Sequence, residues 1–217
     1  VTDGKRPFRP RFYLAGGDGS RTARQGATYC VKGDVKYAVS RRNVMHYGAI
    51  CCVKALHNEM MMKIGKIELD TPLALAPMAG ITDLPYRVIC RKFGCGLTVS
   101  EMVSAKGLLY NNAKTFAMLQ IDRDERPTAI QLFGSVPDEL AEAARIAEER
   151  GADIIDFNMG CPVPKVVNNG EGSALMKNPA HVGKILKAMS KAVAVPVTVK
   201  FRAGWDEEHR NAAEIAR

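Results

Sequence analysis

Six cysteines lie in the chain, at 30, 51, 52, 90, 95 and 161, and only the last sits in a setting that suggests chemistry. Cys161 falls in Asn158-Met159-Gly160-Cys161-Pro162, a short polar and small-residue run directly after an apolar segment. A thiol with an ordinary pKa of about 8.5 is protonated at neutral pH and can serve as an acid. A free cysteine on its own is more commonly a small buried hydrophobe. Lys200, in Val199-Lys200-Phe201-Arg202, alternates with apolar neighbours. A lysine placed inward in this way is costly unless it meets an anion or an electron-rich acceptor. Gln131, in Gln131-Leu132-Phe133-Gly134, carries an amide that can both donate and accept, and Glu101 follows another short apolar run. A salt bridge between Lys200 and Glu101 is an alternative use of both charges. Cys51, Cys52 and His57 are the nearest approach to a metal-ligand cluster; three ligands without paired spacing read as loose thiols, and no metal is expected.

These residues need elements to position them, and from Lys63 onward the sequence alternates between two textures. Lys63–Leu69 reads as a short hairpin turning at Gly65. Strands are expected at Leu73–Ala76, Leu97–Ser100, Thr128–Phe133, Ile154–Phe157 and Val195–Phe201. Helices are expected from Asp83 to Gly94, over Asn112–Leu119, from an Ser135-x-x-Asp138 start to Gly151, from Asn178-Pro179 onward, and over Glu207–Arg217. Strand–helix alternation implies right-handed βαβ units on a parallel sheet. Period-two alternation then puts Ala129, Gln131 and Phe133 on one face of the third strand. Ile154, Asp156 and Asn158 share a face of the fourth, and Thr198, Lys200 and Arg202 a face of the fifth. Polar residues thus recur near the C-terminal end of successive strands, where a barrel builds its site, whereas an open doubly wound sheet gathers them at one switch point. The expected fold is an α/β (β/α)8 TIM barrel, represented by about its first five βα units.

Five segments occur in order: Leu75-Ala76-Pro77-Met78-Ala79-Gly80-Ile81-Thr82-Asp83, Ser100-Glu101-Met102, Gln131-Leu132-Phe133-Gly134-Ser135, Asp156-Phe157-Asn158-Met159-Gly160-Cys161-Pro162 and Val199-Lys200-Phe201-Arg202-Ala203-Gly204-Trp205. In this combination the chain resembles the bacterial tRNA-dihydrouridine synthases. The resemblance covers roughly residues 62–217. It implies an FMN-containing barrel with NADPH as reductant and uridine in tRNA as substrate. It also implies Cys161 as the catalytic acid, FMN contact by Pro77, Met78, Ala79, Gln131 and Lys200, and substrate contact by Asn158 and Arg202. Glu101 is a further candidate for ordering the site. The rest of such a barrel, strands 6–8, and the helical C-terminal tRNA-binding domain of the family find no counterpart in the sequence. Other readings of the same residues are an FMN barrel dehydrogenase acting on a free pyrimidine and an inactive, truncated fragment.

Charge is uneven. The chain carries +8 overall, but residues 1–59 hold 11 Lys+Arg against 4 Asp+Glu, a net +7, and the remainder 20 against 19, a net +1. The basic balance therefore cannot argue that the main domain binds nucleic acid. Residues 1–59 lack a sustained period and are expected to be a disordered or non-native leader, with the domain over 60–217. No apolar run approaches the roughly 20 residues that span a bilayer, and no secretory pattern opens the chain, so a cytoplasmic, monomeric protein with reduced thiols is expected.

Overall fold

The computed structural model describes residues 27–30 and 62–217. The reading of residues 1–59 as a leader therefore lies outside the described residues, apart from a strand, β1 (Ala27–Cys30). A two-stranded antiparallel hairpin follows, β2 (Met62–Ile64) and β3 (Ile67–Leu69), turning at Gly65 as expected.

The main sheet is parallel except for β1. Its strands are β4 (Thr98–Val99), β5 (Val103–Ser104), β6 (Thr128–Phe133), β7 (Ile154–Met159) and β8 (Val197–Phe201). Both β4 and β5 pair with β6, β6 with β7 and β7 with β8, all parallel, while β1 runs antiparallel along β8. The segment expected as the first strand contributes one parallel bridge, Ala74 to Leu97. Leu75 N–H donates to the Leu97 carbonyl and Leu97 N–H to that of Leu73. Among the parallel strands, neighbouring positions thus follow chain order without reversal. A doubly wound sheet would reverse at a switch point, and its absence favours a curling, half-barrel arrangement.

The helices are α1 (Leu84–Lys92), α2 (Ala105–Leu109), α3 (Ala113–Ala117), α4 (Pro137–Glu149), α5 (Pro164–Val167), α6 (Pro179–Ala192) and α7 (Ala212–Ile215). None of them is long and apolar enough to cross a membrane. Asp83 caps α1 by accepting Tyr86 N–H, and Pro85 fills its first turn. Asn112 and Asn178 cap α3 and α6 likewise.

Two apolar layers follow from the alternation. One face of the strands (Ile130, Leu132, Ile155, Phe157, Met159, Val197, Val199 and Phe201) packs under α4 and α6 through Leu140, Ala143, Ala144, Ala147, Val182, Ile185 and Met189. The other face begins with Leu97, Val99, Ala129 and Ile154, and the hairpin covers these with Met62, Ile64 and Leu69. The hairpin therefore closes the N-terminal end of the inward face and leaves its C-terminal end to polar side chains.

Three local expectations need correction. The last helix does not start at Glu207. Asp206 Oδ1 accepts the N–H groups of Glu208 and His209, and Trp205 N–H bonds the His209 carbonyl, so a tight loop runs to α7. Helix α4 is not capped by Ser135: Val136 occupies the cap position without a side-chain bond, and Pro137 opens the helix. The Ser135 carbonyl instead meets His181 Nε2 at 2.7 Å, so His181 is not simply solvated.

Candidate functional site

The inward face of the three long parallel strands is polar above Ala129 and Ile154. Register pairs Gln131 with Asp156 and Asp156 with Thr198, so these three side chains form one row across β6, β7 and β8; the next row pairs Asn158 with Lys200. Gln131, Asp156, Thr198 and Asn158 are all buried, at 1 %, 2 %, 3 % and 8 % exposure. Buried polar groups must bond one another, and these do.

Asp156 is the hub. Its Oδ2 accepts from Gln131 Nε2 at 2.6 Å and its Oδ1 from Thr198 Oγ1 at 2.6 Å. Gln131 Oε1 in turn accepts from Asn158 Nδ2 at 2.8 Å. Asn158 Oδ1 then accepts the backbone N–H groups of Gly160 at 3.2 Å and Cys161 at 3.1 Å. Underneath, Ser100 Oγ accepts Gln131 N–H at 3.0 Å, fixing the strand that carries the glutamine. Burial raises the pKa of Asp156; the hydrogen bonds from Thr198 and Gln131 and the charge of Lys200 act against that rise. Burial likewise holds Lys200 below the usual lysine range, opposed by the charge of Asp156 and reinforced by that of Arg202.

Cys161 is half-buried at the start of the loop that leaves β7. Its carbonyl accepts Ser173 N–H at 2.9 Å. Arg202 Nε donates to the Gly160 carbonyl at 2.6 Å, so the loop is held from β7 by Asn158 and from beyond β8 by Arg202. Gly172, at φ +58°, closes against Cys161 from the far side of the loop.

The strand ends therefore bring together Gln131, Asn158, Cys161, Lys200 and Arg202. Pro77, Met78 and Ala79 form a separate loop after the segment that bridges to Leu97. Glu101 tethers it by accepting Gly80 N–H, and Thr82 bonds Met78 N–H at 3.0 Å. Glu101 is thus engaged with this loop. No hydrogen bond or ion pair of the Lys200 ammonium occurs among the described residues, and no cluster of metal-ligating side chains occurs among them either. The amides of Gln131 and Asn158 are partly used within the row. Gln131 keeps one N–H and one lone pair, and Asn158 keeps one N–H.

Sequence reasoning missed Asp156, Thr198 and Gly172. The first two shared the inward face with named candidates, and a buried carboxylate on that face is a signal in itself. Gly172 left no comparable signal, because its role comes from proximity to Cys161.

A parallel α/β sheet whose strand ends carry an oriented polar row, a part-buried ammonium and a half-buried thiol has its candidate site at the C-terminal rim of the strands. Residues 74–217 match the family model described as dihydrouridine synthase (Dus), and the chain belongs to that family. Among curated proteins it is similar to a probable tRNA-dihydrouridine synthase of Rickettsia bellii, 46 % identical over 158 residues, which is 72 % of this chain and 48 % of that protein. It is also similar to tRNA-dihydrouridine synthase B of Pseudomonas aeruginosa, 47 % identical over 157 residues (72 % and 47 %), and to that of Klebsiella pneumoniae, 51 % identical over 157 residues (72 % and 49 %). The chain spans about half the length of these relatives.

Proposed function

We propose that this chain is part of a flavin-dependent tRNA-dihydrouridine synthase, an oxidoreductase that reduces the C5=C6 bond of uridine in tRNA, with FMN as cofactor and NADPH as reductant. The parallel arc is read as the first five βα units of a (β/α)8 barrel. One observation carries the proposal: in a chain of this family, Cys161 is held over the same strand ends as Lys200, by Asn158 on one side and Arg202 on the other. A cytoplasmic, tRNA-bound setting goes with this reading.

The residues present fit a flavin. A largely buried ammonium without a partner among the described residues favours an electron-rich ring edge, and Lys200 offers one. Gln131 retains a donor and an acceptor for the same edge, and the Pro77-Met78-Ala79 backbone offers a close approach for a flat ring. FMN, when bound, supplies the hydride for C6 of the uracil. The chain's own residues supply the rest. Cys161 gives its thiol proton to C5, and the resulting charge on sulfur is favoured by the nearby Lys200 ammonium. Asn158 holds the Cys161 loop with its oxygen and offers its remaining N–H to the base. Arg202 keeps its terminal guanidinium nitrogens for the substrate or its phosphate while Nε holds Gly160.

Replacing Cys161 with Ala in the full-length enzyme is expected to abolish dihydrouridine formation while flavin absorbance is retained. Retained dihydrouridine formation overturns the assignment of the acid. NADPH consumption with orotate but not with unmodified tRNA overturns the substrate in favour of a free pyrimidine.

A further inference from the structure

We propose that Asp156 is a positioning residue for Cys161, acting through a chain of two amides whose direction it sets. The inference rests on reading Cys161 as the proton donor. Its evidence is the unbroken series from Asp156 through Gln131 and Asn158 to the Gly160 and Cys161 N–H groups.

The direction of this series has a chemical origin. An ionised carboxylate only accepts, so Gln131 must turn Nε2 towards Asp156 and Oε1 away from it. Asn158 must then present Nδ2 to that oxygen, which turns its own Oδ1 towards the loop. Only an oxygen there can accept both loop N–H groups. Thr198 completes the arrangement by donating to the other oxygen of Asp156, so the carboxylate is fully committed to orienting its neighbours. The two ends of an amide have nearly the same shape, so reversing Gln131 would cost packing little and hydrogen bonding a great deal. Asp156 is too deep in the row to touch a base directly, and its influence on the thiol passes through β6 and back to β7.

The chain can be reversed on purpose. In Asp156→Asn, the residue at 156 can donate as well as accept, and the direction of Gln131 is no longer enforced. In Asn158→Asp, two acceptors face each other at Gln131 Oε1. With both substitutions together, the new amide at position 156 keeps an oxygen for Thr198 and donates to Gln131 Oε1. Gln131 then reverses and donates to the new carboxylate at position 158, which still accepts both loop N–H groups. Register also keeps the transferred charge beside Lys200.

The test is amide hydrogen exchange at Gly160 and Cys161 in the full chain, for the parent, both single variants and the double. Exchange is expected to rise by about ten-fold in Asp156→Asn, the scale of one lost hydrogen bond, to change less in Asn158→Asp, whose carboxylate still accepts from the loop, and to return towards the parent rate in the double. Parent-like exchange in Asp156→Asn overturns the proposal, as does a double variant that exchanges no more slowly than Asp156→Asn. If neither single variant folds, the double must fold and exchange slowly; its failure to fold also overturns the proposal. A residue that merely filled space would gain nothing from the second substitution. The readout needs neither flavin nor tRNA, so its failure is distinct from failure of the proposed reduction, which the Cys161→Ala experiment reads.

Discussion

Gly172 leaves no room for a side chain beside Cys161: a Cβ added there would lie 2.6 Å from the Cys161 carbonyl oxygen and 3.2 Å from its Cβ. Gly172 also has φ +58°, in the left-handed region. Gly172→Ala therefore combines backbone strain with a clash against backbone, and the loop bearing the thiol must move. A loss of about 1–3 kcal/mol in urea unfolding is expected, from strain of that kind. In the full-length enzyme, turnover should fall far more than flavin affinity, since the displaced group is the thiol and not the lysine or glutamine.

Asn158→Ala removes the oxygen that accepts the N–H groups of Gly160 and Cys161 and the donor to Gln131 Oε1. Leaving buried donors unpaired costs about 1–3 kcal/mol. The expected signature is a drop in melting temperature together with faster alkylation of Cys161, because the loop loses one of its two anchors while Arg202 still holds the Gly160 carbonyl. Unchanged alkylation would mean that Arg202 alone fixes the loop.

Much of this site could be read from alternation. The period of two in Thr128–Phe133, Ile154–Met159 and Val197–Phe201 put Gln131, Asn158 and Lys200 on one face, and register then aligned them across strands. Alternation says which way a side chain points but not whom it meets. It therefore gives no sign that the Asn158 oxygen holds the loop, or that Glu101, an alternative partner for Lys200, tethers Gly80. The expected helix over Glu207–Arg217 begins only at Ala212. The Asp206 carboxylate accepts the N–H groups of Glu208 and His209, but Trp205 N–H then closes on the His209 carbonyl and turns the chain before a helix can propagate. Such local competition and loop-to-loop proximity are not periodic, so no pattern announces them.

Lys200 should report its burial through the pH dependence of stability. Its folded pKa is depressed by burial and by the neighbouring Arg202 charge, with Asp156 opposing, while an unfolded lysine titrates at about 10.4. Between those two values the unfolded chain binds more protons than the folded one, so stability rises with pH in that window. Equivalently, the contribution present above the unfolded pKa is lost as pH falls through the folded value. Lys200→Met removes this titration. Urea unfolding of the ligand-free chain from about pH 7 to about pH 10.5 should show the parent gaining on the variant as pH rises. A constant difference across that range would mean that the ammonium is not desolvated.

The opposite end of the strands offers a contrast in which stability and function separate. Arg87 and Glu125 form a buried two-pronged ion pair, at 2.5 Å from Nε to Oε2 and 3.1 Å from Nη2 to Oε1, with side-chain exposures of 3 % and 0 %. Arg87 also donates to the carbonyls of Thr82 and Gln120, and Glu125 accepts from Asp122 N–H and from the hydroxyls of Thr98 and Thr128. Thr98 and Thr128 are the first residues of β4 and β6, so the pair ties α1 to the N-terminal ends of the strands, away from Cys161. Breaking it leaves a buried charge unmatched, and Arg87→Met or Glu125→Leu should each cost about 3–5 kcal/mol in urea unfolding. The double substitution removes both charges together and should lie closer to the parent than either single variant, because the desolvation of two ions is removed along with their attraction. Strict additivity of the two losses would refute this account of the pair. Per folded molecule, flavin binding should be unchanged in Glu125→Leu, which keeps the Arg87 bond to the Thr82 carbonyl and touches none of the bonds of Gln131, Asn158 and Lys200.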